Sequence, residues 1–257
     1  MNCLQHFNLL SNPFTTSFYY RTKSQNQALI RLNMLLETGG IMHIYGNYGV
    51  GKTLLLKHFS TTLPNSYQSI FLEYTALKPY SLLLEISNHL GLKTRNNTAN
   101  LVSQIHKHIN ESNRNIVLIV DEAQGLGYDS LESLKLIINP YSLTNKLSLV
   151  LSTIYDYKKQ ISGCPGIKQR IFYNYLIAPL DISESKDFFF AVLDNVNCPN
   201  ALFSDEAVNK ITSIAEGVPR VINRYGLLCL IDAASSNKKY IDLQTVENVE
   251  KDISHYE

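Results

Sequence analysis

The 257-residue sequence has no tryptophan and no CxxC pair. Its four cysteines, Cys3, Cys164, Cys198 and Cys229, show neither the spacing of a zinc site nor the density of a disulfide framework. They fit isolated thiols of a reducing compartment. An excess of one charge is missing too: 23 Lys and Arg stand against 22 Asp and Glu, a formal net charge of +1. That balance argues against wholesale electrostatic wrapping of nucleic acid and leaves room only for a local basic patch. No window reaches the roughly 20 apolar residues of a membrane span. The N-terminal "MNCLQHFNLLSNPF" lacks a basic head and a long apolar run, so no secretory signal is expected. Repeats and low-complexity tracts are absent as well. A cytoplasmic globular chain is expected, as one large domain or a core with a smaller companion.

Short apolar runs alternate with amphipathic stretches over the first two thirds of the chain. "IMHIY" (41–45), "YQSIFLEY" (67–74), "NIVLIV" (115–120), "KLSLVLST" (146–153) and "RIFYNYLIAPL" (170–180) read as strands. Between them, "TLLLKHFSTTL" stops before Pro64, and "PYSLLLEISNHLGL" opens on Pro79 and closes near Gly91. These two stretches, residues 98–111, and "DSLESLKLIIN" before Pro140 carry helix periodicity and punctuation. Continuously apolar strands alternating with helices predict a parallel sheet covered on both faces. Beyond Pro179 the strand signal ends, and helices follow one another at about 183–196, 204–216, 219–235 and 242–253. The expected division is therefore 1–180, an N-terminal segment plus an α/β core, and 181–257, a small all-helical domain.

Gly46, Asn47, Tyr48, Gly49, Val50, Gly51, Lys52 and Thr53 satisfy G-x-x-x-x-G-K-[ST] between a predicted strand and a predicted helix. Glycines let backbone N–H groups turn toward phosphate oxygens, and the helix N-terminus adds its partial positive charge. Lys52 can reach the β- and γ-phosphates of ATP, and the Thr53 hydroxyl can ligate Mg²⁺. Asp121 ends the apolar run "IVLIV", where its carboxylate can hold the magnesium, and Glu122 after it suits polarising an attacking water. An acidic cap after a strand is the plainer reading of the pair taken alone. Arg170, before the fifth strand, and Arg220, opening a C-terminal helix, are either phosphate-directed guanidiniums or ordinary surface arginines.

Taken together, "GNYGVGKT", "IVLIVDEAQGL", "EGVPRVINR" and the N-terminal "FNLLSNPF" resemble the AAA+ ATPases of the ExeA/GspA secretion type and their transposition-helper relatives. The resemblance runs from about Phe7 to about Ala234. It implies a three-layer P-loop core with sheet order 5-1-4-3-2, a helical lid, and nucleotide sites completed by neighbouring subunits of a homo-oligomer. Lys52 and Thr53 match the phosphate loop, Asp121 and Glu122 the magnesium and water-activating pair, and Arg220 the lid arginine called sensor 2. Arg170 lies where such proteins present an arginine to the adjacent subunit's ATP. The segment "STIYDY" (152–157) departs from the family's "GQPEL", leaving Ser152 and Thr153 as candidates for the polar sensor 1 position.

An aromatic of the N-terminal segment, Phe14, Phe18 or Tyr19, either covers the adenine face or packs into the protein. Lysine pairs at 158–159 and 238–239 are either phosphate-backbone contacts or solvated surface. The chain ends soon after the helical domain, which favours a stand-alone cytosolic relative over a membrane-anchored secretion ATPase. The function these readings imply is an ATP-driven oligomeric switch, associated with duplex DNA and a transposase or other protein. The alternatives are action on an envelope protein complex and a non-hydrolysing ATP-dependent binding module.

Overall fold

The computed structural model describes residues 3–15, 17–73, 76–92, 97–138, 144, 146–157 and 164–254. The chain divides into two compact units: Lys23–Asn47 with Lys52–Ile177, and Met1–Thr22 with Tyr48–Gly51 and Ala178–Glu257.

The first unit is an α/β layer structure. Five parallel strands, β1 (Gly40–Tyr45), β2 (Tyr67–Leu72), β3 (Asn115–Val120), β4 (Leu147–Thr153) and β5 (Ile171–Leu176), form a sheet of order β2-β3-β4-β1-β5. This is the order that the sequence resemblance implies. Every position of β1 and β4, and all but the first of β3, is buried, which is why these strands read as unbroken apolar runs. The edge strand β5 alternates half-buried and exposed positions instead.

One sheet face is covered by α4 (Pro79–His89), α5 (Thr98–Glu111) and α6 (Tyr128–Ile138). Leu82, Leu83 and Ile86, then Leu101, Ile105 and Ile109, then Leu131, Leu134 and Ile138 share one core with Leu118, Val120, Leu149 and Leu151. In α5 those residues recur every four positions, and Asn97 caps the helix by accepting the Asn100 N–H at 2.9 Å. The remaining helices of the unit are α2 (Lys23–Thr38), α3 (Lys52–Thr61) and the short α7 (Pro165–Lys168). Helix α2 is anchored to the sheet by hydrogen bonds from Ser148 Oγ to the Leu35 carbonyl and from Tyr67 Oη to the Leu36 carbonyl. The sequence reading gave residues 23–38 no element. Their signal is Ala28, Leu29, Leu32, Leu35 and Leu36 at helical spacing, diluted by polar neighbours.

In the second unit, α8 (Ile182–Asp194), α9 (Asp205–Ile214), α10 (Pro219–Ser235) and α11 (Leu243–Ser254) surround an aromatic core, with the short α1 (Cys3–His6) beside them. Asp181 and Ser204 cap α8 and α9 with their side chains, and Pro219 opens α10. Asp242 starts α11, accepting from the Thr245 N–H and from Lys238 Nζ, each at 2.9 Å. The Lys238 ammonium is the main reason its carboxyl sits well below the usual range, at about 2. One lysine of the 238–239 pair is therefore engaged at a helix cap. Lys158 and Lys159 lie outside the described residues. Burial pushes the Cys198 thiol up to about 11 and, with Asp232 nearby, that of Cys229 to about 12, so both stay protonated and unreactive.

The N-terminal segment clusters with this helical unit, whereas the sequence reading grouped it with the α/β core. Its anchor is Phe14, 4% exposed, whose ring lies 5.5 Å from that of Phe189 and 5.8 Å from that of Phe203. Of the two sequence readings of Phe14, the structure shows packing: a ring enclosed by helices has no face left for adenine. Gly226 on α10 makes the approach possible, since a Cβ there would lie 2.4 Å from the Phe14 ring. Asn223 Nδ2 donates to the Thr15 carbonyl at 3.0 Å and fixes the same segment. Among the described residues, no helix is long and apolar enough to cross a membrane.

Gly226→Ala is expected to lose about 1–3 kcal/mol of stability through overpacking, read as a lowered denaturant midpoint. Phe14→Leu in the Gly226→Ala background should recover part of the loss. A midpoint equal to the parent's would show that the ring is not confined as described.

Candidate nucleotide-binding site

Because the strands are parallel, the segments leaving β1, β3 and β4 emerge at the same end of the sheet. The loop after β1 begins with Gly46, whose N–H donates to the Thr153 carbonyl at the end of β4, 3.3 Å away. Gly49 and Gly51 have φ of +80° and +92°, left-handed conformations that side chains rarely tolerate. They turn the chain so that α3 starts at Lys52. The Lys52 side chain is 4% exposed, and a buried ammonium must be solvated by protein. Its Nζ donates to the carbonyls of Gly46 at 2.9 Å and Asn47 at 3.0 Å, which holds the cation inside the loop.

Asp121 follows β3 and is 2% exposed. Its Oδ2 accepts from Thr53 Oγ at 2.6 Å, a short charge-assisted bond joining α3 to the end of β3. Its Oδ1 accepts the Glu122 N–H at 3.0 Å, and its own N–H donates to the Leu72 carbonyl at 2.9 Å. A hydroxyl and a carboxylate held side by side are the hard oxygen donors that Mg²⁺ prefers. The loop glycines, the enclosed lysine and this oxygen pair fit a magnesium nucleotide.

Glu122 adopts φ 50° and ψ 39°, an uncommon conformation for a residue with a side chain, costing of order 1 kcal/mol or more. Its carboxylate accepts a short hydrogen bond from Gln124 Nε2. The sequence reading gave Gln124 no role. Its only signal is its place two residues after the acidic pair, which a turn converts into contact.

The structure separates the two sensor 1 candidates. Thr153 Oγ donates to the Ile154 carbonyl at 3.0 Å and lies 2.8 Å from His43 Nε2, so its bonds are made within the protein. Ser152 Oγ is buried with no hydrogen-bond partner among the described residues. Register places Ser152 beside Ile44 on β1, and Asp121 would be its counterpart one step beyond Val120↔Leu151.

The arginines fall in different places. Arg220, the second residue of α10, donates its backbone N–H to the Gly49 carbonyl at 3.3 Å. A Cβ on Gly49 would sit 2.7 Å from the Arg220 Cβ, so the contact depends on that glycine. Arg170 precedes β5 and therefore stands at the opposite end of the sheet from Asp121. By register Arg170 is level with Gly40 and Asp121 with Ile44, about 13 Å along the strands, and three strand spacings of about 4.8 Å lie between β5 and β3, so the two are roughly 20 Å apart. Its Nη1 donates to the Gly166 carbonyl at 2.6 Å.

The fold and this loop define a P-loop nucleotide-binding protein. A family profile described as AAA domain matches residues 34–161, and over that span the chain resembles the AAA+ ATPases. It is 26% identical over 238 residues to general secretion pathway protein A of Aeromonas hydrophila, a match covering 88% of this chain and 43% of the relative. The chain thus spans less than half of that curated relative's length. Among solved structures it is similar to Drosophila ORC bound to DNA (TM-score 0.70, 16% identity, 96% of this chain and 65% of that one). It is also similar to the Aeropyrum pernix ORC2 protein in its ADP form (TM-score 0.67, 13% identity, 95% and 71%). The RuvB Holliday junction branch migration motor of Thermotoga maritima gives a TM-score of 0.61 at 17% identity, over 89% and 67%. At these identities the likeness to the solved structures is one of fold.

Lys52→Ala is expected to weaken binding of a fluorescent ATP analogue about 100-fold, the loss of a charge-assisted contact to phosphate, with the circular dichroism spectrum unchanged. Analogue affinity within about twofold of the parent's would remove Lys52 from the site.

Proposed function

We propose that this chain binds ATP with Mg²⁺ and hydrolyses it, and that the cycle drives assembly and disassembly of a homo-oligomer associated with duplex DNA. The observation that carries the reading is the junction of Lys52, Thr53, Asp121 and Glu122 at one end of the sheet. In this reading the N–H groups of residues 46–53 and the Lys52 ammonium bind the phosphates. Thr53 and Asp121 hold the metal, which when bound supplies charge stabilisation to the transferring phosphoryl group. Glu122 orients and polarises the attacking water, and Gln124 holds its carboxylate until a ligand competes for it. Arg220 serves as the lid arginine toward the loop that it already touches at Gly49. Arg170, roughly 20 Å from its own chain's Asp121, acts on the nucleotide of a neighbouring subunit.

The DNA association is supported by fold neighbours whose structures contain DNA. A transposase or another DNA-bound protein is the partner class that this reading expects. A second reading, action on an envelope protein complex, is favoured by the match to a general secretion pathway protein. The two separate on the effector that stimulates turnover.

Purified protein should hydrolyse ATP faster with duplex DNA than without it. Glu122→Gln should retain nucleotide binding and lose about 100- to 10,000-fold in turnover. Turnover that rises with protein concentration but ignores DNA would favour the secretion-type reading. ATP binding without turnover under any of these conditions would leave a nucleotide-dependent binding module.

A further inference from the structure

Strand β1 is buried along its whole length, and one of its six residues is an imidazole. His43 is 1% exposed. An aliphatic side chain would fill a central strand without desolvating two ring nitrogens, so the imidazole's bonds indicate its use. Its Nδ1 lies 3.0 Å from Asn174 Oδ1 on β5, and its Nε2 lies 2.8 Å from Thr153 Oγ on β4. The ring is further held by stacking on Tyr45, with centroids 5.3 Å apart and planes at 24°.

The ring bridges Asn174 and Thr153 in either tautomer: Nδ1–H toward the Asn174 oxygen, or Nε2–H toward Thr153 Oγ, whose own proton goes to the Ile154 carbonyl at 3.0 Å. Thr153 is also the residue whose carbonyl receives the N–H of Gly46, the first residue of the phosphate loop. Asn174, at the far end of this series, is exposed on the edge strand. Asn174, His43, Thr153 and Gly46 thus form a continuous polar path across β5, β1 and β4, from the open edge of the sheet to the base of the loop. The backbone ladders of β1 with β4 and β5 run alongside it, and the side-chain path adds a link that a substitution at the edge can cut.

We infer that His43 is a positioning residue for the phosphate site. It fixes Thr153, and through it Gly46, to the edge strand, so that whatever engages or displaces Asn174 alters how tightly the loop holds phosphate. The nucleotide consequence rests on the ATP reading above; the hydrogen-bonded path itself does not.

The test therefore has two arms on the full chain. Asn174→Ala changes an exposed residue and is expected to leave the thermal midpoint in place. It should speed hydrogen exchange of the Gly46 amide and weaken binding of a fluorescent ATP analogue about three- to tenfold, the range of one hydrogen bond. Asn174→Asp keeps an acceptor and should restore both readouts. His43→Phe, if it folds, should exceed the Asn174→Ala effect. If His43→Phe does not fold, the Asn174 pair decides alone. Gly46 exchange and analogue affinity that are both unchanged in Asn174→Ala would overturn the inference. A parent that binds no analogue, while its Gly46 exchange still responds to Asn174→Ala, would overturn the ATP reading and leave the path standing.

Discussion

Parallel strand direction is the constraint on which the rest of the α/β unit depends. It forces each strand to be followed by a crossover, buries the inner strands on both faces, and gathers the segments after β1, β3 and β4 at one end. Polar chemistry is excluded from the strand interiors and allowed where they stop. Thr53, Asp121, Glu122, Ser152 and Thr153 all lie at such ends. The hydrogen bond from Thr53 to Asp121 then ties the start of α3 to the end of β3.

The departures from apolar burial are few and instructive. Ser148 spends its hydroxyl on the Leu35 carbonyl, binding a helix to the sheet. His43 and Thr153 bond to each other rather than to helices, and Ser152 bonds to nothing in the described structure. A buried hydroxyl without a partner forfeits the solvation it had in water, about 1–3 kcal/mol. Ser152 stands beside Asp121 in the sheet register. Thr153, whose proton is already taken within the protein, is better placed to shape the loop than to touch a ligand.

Much of this was legible in the sequence. The strand order followed from the resemblance, and the five strands followed from apolar runs whose length and continuity are those of buried parallel strands. The phosphate loop and the acidic pair were legible because their glycines and carboxylates have few other uses between strand and helix. What escaped has physical reasons. Helix α2 carries its apolar residues at helical spacing but among glutamines and asparagines, so composition obscured period. Gln124 meets Glu122 only because Glu122 turns left-handed, a conformation that no residue type announces. The placement of Phe14 depended on Gly226, some two hundred residues later, offering a cleft that spacing cannot reveal.

Arg170 shows how topology alone can assign a direction of action. A residue before a parallel strand and a residue after one lie toward opposite ends of the sheet, and the interval is fixed by register and by the strands between them. No side-chain rotamer spans roughly 20 Å, because a fully extended arginine reaches only a fraction of that. If its guanidinium meets a phosphate of the kind bound at Lys52, that phosphate belongs to another copy of the chain. The bond from Nη1 to the Gly166 carbonyl occupies one of five donors and holds the side chain against α7.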